Sequence, residues 1–407
     1  MAKLSPSDLN ESDLKGKRVF MRVDFNVPLD ADRVITSDNR IKAAIPSIKY
    51  IIEKGGRLIL ASHLGRPKGE KKPEFSLDVC AKKLSELIGK DVKFVNDCVG
   101  AEVKSAVDAM KDGGILLLEN LRFYKQEEKN DPEFSKQLAE NADIYVNDAF
   151  GTAHRAHAST EGMTKFVKKS AAGFLMEKEL KFLGEMLENP KKPFIAILGG
   201  AKVSDKIMVI ENLLSKVDGL IIGGGMAYTF LKAKGREIGD SLCEKDKINT
   251  AKEIMKTALD KNVAIYLPID HIVAKTPKSG EDFMTALKSA EYKEVLRDSI
   301  DDGWEGVDIG KNTIDKFRNI ISKSKTIFWN GPMGVFEVEQ FSKGTLEVGK
   351  ALAESGAVTV VGGGDSASAI KKLKLSDKMT HVSTGGGASM EFVEGKELPG
   401  VAALTNK

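Results

Sequence analysis

The stretch FIAILGGAKVSDKI, Phe194–Ile207, predicts a buried strand that turns sharply into a helix. Its apolar first half ends at Gly199-Gly200, and Lys202 and Lys206 follow four residues apart, where a helix would place them on one face. Bare backbone N–H groups at the positive end of a helix dipole favour phosphate. The alternative is a solvated lysine face, since the chain has 51 lysines. We expect a β-α unit with an anion site at the strand end.

The same alternation of β-rich runs and helical patterns continues along the chain. Further glycine clusters at 223–225, 362–364 and 385–387 also follow β-prone runs. Continuous apolar strands joined by helices are typical of parallel sheets that are covered on both faces. The predicted strands are Val19–Phe25, Leu58–Ser62, Val92–Val95, Ile115–Leu118, Ile144–Asn147, Phe194–Leu198, Leu220–Ile222, Val263–Leu267, Thr326–Trp329, Val358–Val361 and Thr380–Ser383. The predicted fold class is α/β, with two doubly wound parallel-sheet (Rossmann-like) domains.

Composition limits the classes of function. A chain of 407 residues exceeds one ordinary core and fits two domains. The net charge of +3 is too small to indicate nucleic-acid binding, and no apolar run is long enough for a membrane span. Three cysteines without C-x-x-C spacing indicate a reducing compartment and argue against a zinc site. We therefore expect a cytoplasmic protein with neither nucleic-acid nor membrane partners.

Arginines are concentrated in the first half, with 8 of 11 before residue 156. Five of them are predicted to lie at or just beyond the ends of apolar strand-like runs: Arg22, Arg40, Arg66, Arg122 and Arg155. A single arginine is most often a surface ion pair. Five at successive strand ends favour a small ligand that carries carboxylate or phosphate groups.

Other polar residues follow the same predicted strands. Asp24 and Asn26 are expected on one side of the pleat, where they would bind the hydroxyl of a small hydroxy acid. His63 lies three residues before Arg66 and is either an anion ligand or a structural capping residue.

The cluster Gly362-x-Gly364-x-x-Ala367 matches a loose dinucleotide fingerprint, which alone is weak evidence. Asp365 would carry Mg²⁺ toward a nucleotide phosphate, cap the helix together with Ser366, or do both. The fingerprint leaves a dinucleotide-dependent dehydrogenase open as one function. A non-catalytic nucleotide-binding protein is a separate alternative. The segment 344–351 only loosely matches a P-loop, because it lacks the magnesium-binding Ser/Thr, and it predicts an amphipathic helix.

Met176, Leu180, Leu183 and Leu187 recur at helical spacing between the two halves. They predict either a connecting helix or an ordinary core helix of one domain.

The collected segments resemble the phosphoglycerate kinase family over essentially the whole chain. They are RVDFNVP, SHLGRP, LENLRF, NDAFGTAHRAH, LGGAKVSDKI, IIGGGMAYTFLK, WNGPMGVFE, VVGGGDSA and VSTGGGASMEFVEGKELPGV. The resemblance implies reversible in-line phosphoryl transfer from 1,3-bisphosphoglycerate to Mg-ADP, which gives 3-phosphoglycerate and Mg-ATP. It also implies a monomer in which hinge closure assembles the site.

Residue roles are carried over by motif. The resemblance implies a phosphoglycerate site of Asp24, Asn26, Arg40, His63, Arg66, Arg122 and Arg155. It implies a nucleotide site of Gly200, Ala201, Lys202, Lys206, Gly223, Gly224, Gly225, Asn330, Glu337, Gly363, Gly364, Asp365 and Ser366, with Asp365 holding Mg²⁺. The residues expected around the transferred phosphoryl group are Arg40, Lys202, Lys206, Gly363 and Gly386.

The expected organisation has four parts. Residues 1–170 form the phosphoglycerate-binding domain, 171–190 the connecting hinge helix, 191–393 the nucleotide-binding domain, and 394–407 a tail that returns to the N-terminal domain.

Overall fold

The computed structural model describes residues 3–275 and 282–407, and these form two compact units. Unit 1 comprises Met1–Lys181 and Glu397–Lys407, and unit 2 comprises Phe182–Lys396. The helix Phe174–Glu188 contains the point of division. The predicted helix in this segment is therefore present, while the four domain boundaries stay a prediction.

In the described residues of unit 1, six strands form one parallel sheet in the order β3-β4-β2-β1-β5-β6. The strands are β1 Arg18–Arg22, β2 Arg57–Ala61, β3 Lys93–Val95, β4 Ile115–Leu118, β5 Ile144–Asn147 and β6 Ser170–Ala172. The helices are α1 Glu11–Leu14, α2 Asn39–Glu53, α3 Asp78–Ile88, α4 Ala101–Asp108, α5 Lys125–Glu128, α6 Pro132–Ala139 and α7 Phe174–Glu188, with α16 Pro399–Ala402 in the C-terminal segment.

Unit 2 contains a second parallel sheet, with six strands among its described residues in the order β15-β14-β13-β7-β8-β9. Its strands are β7 Phe194–Leu198, β8 Gly219–Ile222, β9 Ala264–Tyr266, β13 Thr326–Asn330, β14 Val358–Gly362 and β15 His381–Val382. Its helices are α8 Ile207–Leu213, α9 Met226–Ala233, α10 Ile248–Asp260, α11 Phe283–Ser289, α12 Lys311–Ser322, α13 Lys343–Glu354, α14 Gly364–Lys372 and α15 Gly387–Val393. Helix α13 confirms the helical interpretation of the P-loop-like segment.

An antiparallel sheet in unit 2 was not predicted. It orders β10 His271–Lys275, β11 Tyr292–Val295 and β12 Trp304–Ile309 as β11-β10-β12. Strand β11 is largely exposed and has the mixed sequence YKEV, so it lacks the apolar run that marks the central strands. Strand β6, Ser-Ala-Ala, was missed because small residues carry little strand signal.

Burial confirms that the central strands are covered on both faces. Every residue of β4, β5, β7, β8 and β13 is buried, so side chains on both sides of each strand avoid water. The fold class predicted from alternating apolar strands and helices is therefore confirmed.

Three local predictions are wrong. Strand β1 ends at Arg22, so Asp24 and Asn26 lie on the following loop and not on a pleated strand. Arg40 lies near the start of α2 and not at a strand end. Lys202 and Lys206 precede α8 and do not share a helical face.

The C-terminal segment Glu397–Lys407 belongs to unit 1 through backbone hydrogen bonds. The Gly400 N–H donates to Ala153 O over 2.8 Å, and the Thr405 N–H donates to Ser170 O over 2.9 Å. Thr405 O in turn accepts from the Leu4 N–H over 2.9 Å. These contacts fix the end of the chain beside strand β6 and the loop that follows β5.

Candidate functional site

The chain order reverses between β1 and β5 in unit 1, and between β7 and β13 in unit 2. Ligands of open α/β sheets bind at such reversal points, beyond the carboxyl ends of the strands. Both positions are occupied by residues that the sequence predicted as ligands.

The loop after β1 brings two predicted ligands next to Arg40. The Asn26 N–H donates to Asp24 Oδ1 over 3.1 Å, which holds the loop in a tight turn. Arg40 reaches Asp24 Oδ2 from helix α2 and forms an ion pair with it. The Arg40 side chain remains 42% exposed, so its guanidinium is accessible to a ligand.

The loop after β2 carries His63 and Arg66 in different environments. His63 is buried and its Nδ1 lies 3.0 Å from Arg22 Nη2. Burial, and then the positive charges of Arg22 and other cations, hold the pKa of His63 well below its usual value. Arg66 is exposed, and it follows Gly65, whose N–H donates to Asn26 Oδ1 over 2.9 Å. The loop thus fixes the backbone next to Arg66 and leaves its side chain in solvent.

Arg122 is held against the same loop from the end of β4. It lies on a short 3₁₀ helix, Leu121–Phe123, and its Nη1 donates to Gly65 O over 2.9 Å. Burial lowers the pKa of Arg122, opposed by the carboxylate of Glu128, which lies 3.4 Å from Nε. A guanidinium that is partly removed from water binds an anion more strongly than one in solvent.

Asn120 was not predicted as a functional residue, although it links these two strand ends. Its buried amide donates to Leu64 O over 2.7 Å and to Phe75 O over 2.9 Å. Its Oδ1 accepts from the backbone N–H groups of Leu64 and Arg122, over 3.2 and 3.1 Å. Asn120 therefore fixes the backbone that carries His63 and Arg122.

Arg155 completes the cationic group from beyond β5. It is exposed, and its Nε lies 3.1 Å from His154 Nε2. Burial, followed by the charges of Arg22, Arg122 and Arg155, lowers the pKa of His157 to about 4. His157 was missed, and the only signal for it was its place in the segment HRAH. We call Arg22, Arg40, His63, Arg122, Arg155 and His157 the basic cluster.

In unit 2 the glycine turns after β7 and β8 pack backbone against backbone. The N–H groups of Gly199 and Gly200 donate to Asn330 O and Pro332 O, over 2.9 and 3.2 Å. The N–H groups of Gly223 and Gly224 donate to Leu198 O and to Met333 O, each over 2.9 Å. The prediction of bare N–H groups at Gly199-Gly200 is wrong, because both already have acceptors within the protein.

Close approach explains the glycines at these turns. A Cβ at Gly224, which has φ of +68°, would lie 2.6 Å from both the N and the O of Gly200. A Cβ at Gly225 would lie 3.0 Å from Leu242 Cδ2 and 3.0 Å from Ala201 O. Leu242, which is 48% exposed, was not predicted and forms an apolar border to these turns.

Asn330 ends β13 and connects the predicted ligand Lys206 to the end of β14. Its Oδ1 accepts a hydrogen bond from Lys206 Nζ, and its Nδ2 donates to Gly362 O over 2.9 Å. Burial lowers the pKa of Lys206, opposed by the negative charges of Asp205, Asp365 and Glu394. Lys202 is exposed, so the two lysines occupy unlike environments.

Helix α14 presents its N-terminus beside Asn330. Gly363 precedes the helix with φ of +86°, and Asp365 in the first turn is exposed. Ser366 is buried, and its Oγ accepts from the Gly331 N–H over 2.6 Å. The predicted side-chain cap is not observed at this helix. The first-turn N–H groups of a helix have no intrahelical acceptor and suit an anion.

The remaining predicted ligands, Glu337 and Gly386, are also exposed. Gly386 has φ of +53° and precedes α15. Within residues 3–275 and 282–407, no group of three or more His, Cys, Asp or Glu side chains is arranged to hold a metal ion. A single exposed carboxylate such as Asp365 fits Mg²⁺ that takes its other ligands from phosphate and water. In the described part of the chain, no helix is long and apolar enough to cross a bilayer.

Known proteins resemble this chain over its full length. The family model described as phosphoglycerate kinase matches residues 9–396. A phosphoglycerate kinase from Dictyoglomus turgidum is 57% identical over 408 residues, which cover 100% of both proteins. The cytosolic phosphoglycerate kinase of Triticum aestivum is 57% identical over 405 residues, 99% of this chain and 98% of the relative.

Solved structures agree with the sequence comparison. The phosphoglycerate kinase of Coxiella burnetii matches with a TM-score of 0.89 at 44% identity, over 98% of each chain. That of Pyrococcus horikoshii matches with a TM-score of 0.80 at 36% identity, over 99% of this chain and 98% of the other. These comparisons do not favour the dehydrogenase or the non-catalytic nucleotide-binding protein.

Proposed function

Because the chain belongs to the phosphoglycerate kinase family, we propose that the basic cluster binds phosphoglycerate and that the strand ends of unit 2 bind ADP or ATP. The enzyme is a phosphotransferase that acts on phosphoglycerate and on these nucleotides. The observation that carries the assignment is the convergence of three side chains: His63 and Arg122 follow the neighbouring strands β2 and β4, and Arg40 approaches them from helix α2.

The reaction sets the demands on unit 1. A carboxylate is already ionised at neutral pH, so the phosphoryl acceptor needs no general base to remove a proton. The protein must instead align and neutralise a highly charged phosphoryl group. We assign this role to Arg40 and assign the remote phosphate of phosphoglycerate to Arg66, Arg122 and Arg155. Asp24 and Asn26 would bind the substrate hydroxyl.

In unit 2 the phosphate chain of the nucleotide would lie at the N-terminus of α14. Lys206 would neutralise the transferred phosphoryl group from a partly desolvated position, with Lys202 acting from solvent. The N–H groups near Gly363 and Gly386 would donate to the same group. Bound Mg²⁺ would offset the negative charge of the phosphate oxygens, and Asp365 would hold it.

The other nucleotide ligands would act mainly by shape. Their side chains are small or absent, which leaves room for a flat base or ribose, with Glu337 on the ribose hydroxyls and Asn330 beside the phosphates. This group comprises Gly200, Ala201, Gly223, Gly224, Gly225, Gly364 and Ser366. We also propose a cytosolic location, because a relative is described as cytosolic and the three cysteines are free thiols. The monomeric state is proposed on the family resemblance alone. Hinge closure stays a prediction from the sequence.

Steady-state kinetics test the assignment of the basic cluster. We would follow ATP-dependent phosphorylation of 3-phosphoglycerate through a coupled dehydrogenase and expect Arg122→Gln to raise the KM for phosphoglycerate by roughly 10- to 100-fold. The KM for ATP should stay within about twofold, since Arg122 belongs to unit 1. EDTA should abolish turnover by the wild-type chain.

The matched control is Arg57→Gln. Arg57 pairs with Asp112 at the amino end of β2, whereas His63 follows the carboxyl end of that strand. Its loss should leave both KM values unchanged. An unchanged KM for phosphoglycerate in Arg122→Gln would refute the placement of this substrate.

A further inference from the structure

Arg22 is the least exposed member of the basic cluster. It is the last residue of β1 and is only 1% exposed. Its Nε donates to Ser159 Oγ over 2.9 Å, its Nη1 donates to Val23 O, and its Nη2 lies 3.0 Å from His63 Nδ1. All three guanidinium nitrogens therefore have partners within the protein, which makes Arg22 a poor direct ligand for a substrate.

The contact between Arg22 and His63 determines where the imidazole carries its proton. A guanidinium has only donors, and it stays protonated at every pH that the fold tolerates. Nδ1 of His63 must therefore accept the hydrogen bond, and the hydrogen-bond network assigns the proton of the neutral ring to Nε2. The lowered pKa of His63, caused first by burial and then by Arg22, agrees with a neutral ring.

A buried carboxyl group, Glu127, is joined to Arg22 through Ser159; burial raises the pKa of Glu127, and the positive charge of Arg22 opposes this by favouring the ionised form. Ser159 donates its hydroxyl to Glu127 Oε1 over 2.6 Å and its N–H to Glu127 Oε2 over 3.0 Å. Both Ser159 and Glu127 are fully buried. A continuous chain of hydrogen bonds thus joins Glu127, Ser159, Arg22 and His63, and it links α5 to the ends of β1 and β2.

We propose that Arg22 is a positioning residue that locks His63 as the Nε2–H tautomer, so that His63 donates a hydrogen bond to bound phosphoglycerate without carrying charge. Arg40, Arg66, Arg122 and Arg155 would then neutralise the charge of the substrate, while the hydrogen bond from His63 would orient it. This inference rests on the proposed placement of phosphoglycerate at the basic cluster. It separates Arg22, which acts through His63, from the arginines that contact the ligand.

Nitrogen NMR of the full-length chain labelled with ¹⁵N-histidine tests the lock directly, without any substrate. The His63 signal is identified by its loss in His63→Gln. In the wild-type chain at pH 7, we expect one non-protonated Nδ1 and one protonated Nε2. A ring protonated on Nδ1, or on both nitrogens, would overturn the inference.

A charge-matched variant tests whether Arg22 is the cause. The double substitution Arg22→Met with Glu127→Gln removes both buried charges together, so that neither is left without its counter-charge. Here we expect His63 to show a mixture of tautomers, whereas Glu127→Gln alone should keep the single Nε2–H form. If the double variant does not fold, the spectrum of the wild-type chain alone tests the proposed tautomer of His63.

Kinetics complete the test and separate it from the proposed function. In the double variant the KM for phosphoglycerate should rise by the inverse of the remaining Nε2–H fraction, about twofold for an even mixture, with the KM for ATP unchanged. Adding His63→Ala should then raise this KM by a smaller factor than His63→Ala does in the wild-type chain, because Arg22 acts through His63. A raised KM with an unchanged tautomer would overturn the inference. A wild-type KM in His63→Ala, with the tautomer locked, would instead refute the placement of the substrate.

Discussion

The candidate anion sites of unit 1 and unit 2 are built in opposite ways. In unit 1 the candidate ligands are long side chains, which are held by a buried polar layer that includes Asn120, Arg22 and Glu127. In unit 2 half of the candidate ligands are glycines, where the backbone itself forms the surface. Side-chain recognition therefore depends on hydrogen bonds behind the ligands, whereas backbone recognition depends on the absence of Cβ atoms.

The largest expected effect is a loss of stability, caused by a substitution that disrupts the close backbone packing of unit 2. Gly224→Ala would place a Cβ 2.6 Å from two backbone atoms of Gly200 at a positive φ. Because backbone cannot move aside as a side chain can, we expect the free energy of unfolding to fall by more than about 3 kcal/mol. Urea denaturation followed by circular dichroism measures this change.

Two other glycines separate the causes. Gly235→Ala has the same sign of φ with no atom within 4 Å, so it should cost only about 1 kcal/mol of strain. Gly364→Ala, in the first turn of α14 and also in open space, should be neutral or stabilise by up to about 1 kcal/mol. Equal losses in all three variants would contradict the argument from close approach.

The second effect concerns Lys206, the side chain in unit 2 that most resembles those of unit 1. Lys206→Met keeps the length of the side chain and removes the partly desolvated charge beside Asn330. If Lys206 neutralises the transferred phosphoryl group, we expect kcat to fall by roughly 10²- to 10³-fold. The coupled assay at saturating substrates gives this number.

The control is another half-buried lysine in the same unit. Lys316 on α12 also has a pKa lowered by burial, and its Nζ donates to Leu267 O over 3.4 Å. Lys316→Met should leave kcat within about twofold, because Lys316 is not among the proposed ligands. A similar fall in kcat for both lysines would show that desolvation alone, and not position, accounts for the effect.

The sequence predicted the two sheets because their strands are continuous apolar runs such as Phe194–Leu198, and such a pattern is local. The sequence showed where the arginines lie along the chain but not how exposed they are, since nothing in it shows that Arg22 is buried and Arg66 exposed. It also gave the wrong reason for Gly199-Gly200, whose N–H groups pair with residues more than 130 positions away. Long-range pairing is what the sequence pattern could not provide. The antiparallel sheet was missed for a local reason, because a strand such as β11 has no continuous apolar run.

The smallest expected effect comes from the buried polar layer that supports the candidate ligands of unit 1. Asn120→Ala removes four hydrogen bonds that hold the backbone on either side of His63 and Arg122, but it removes no proposed ligand. We expect the KM for phosphoglycerate to rise about tenfold, because misplaced ligands would lose the binding free energy of roughly one hydrogen bond. The KM for ATP and kcat should change little.

A matched asparagine distinguishes positioning from general stability. Asn141 is also buried in unit 1, but its amide donates only to Gln137 O, over 3.5 Å, on the helix that precedes it. Asn141→Ala should lower the free energy of unfolding by about 1 kcal/mol and leave both KM values unchanged. If Asn120→Ala lowers stability without raising the KM for phosphoglycerate, the ligands of unit 1 hold their positions without the buried layer. The two units would then differ only in their proposed ligands, which are side chains in unit 1 and largely backbone groups in unit 2.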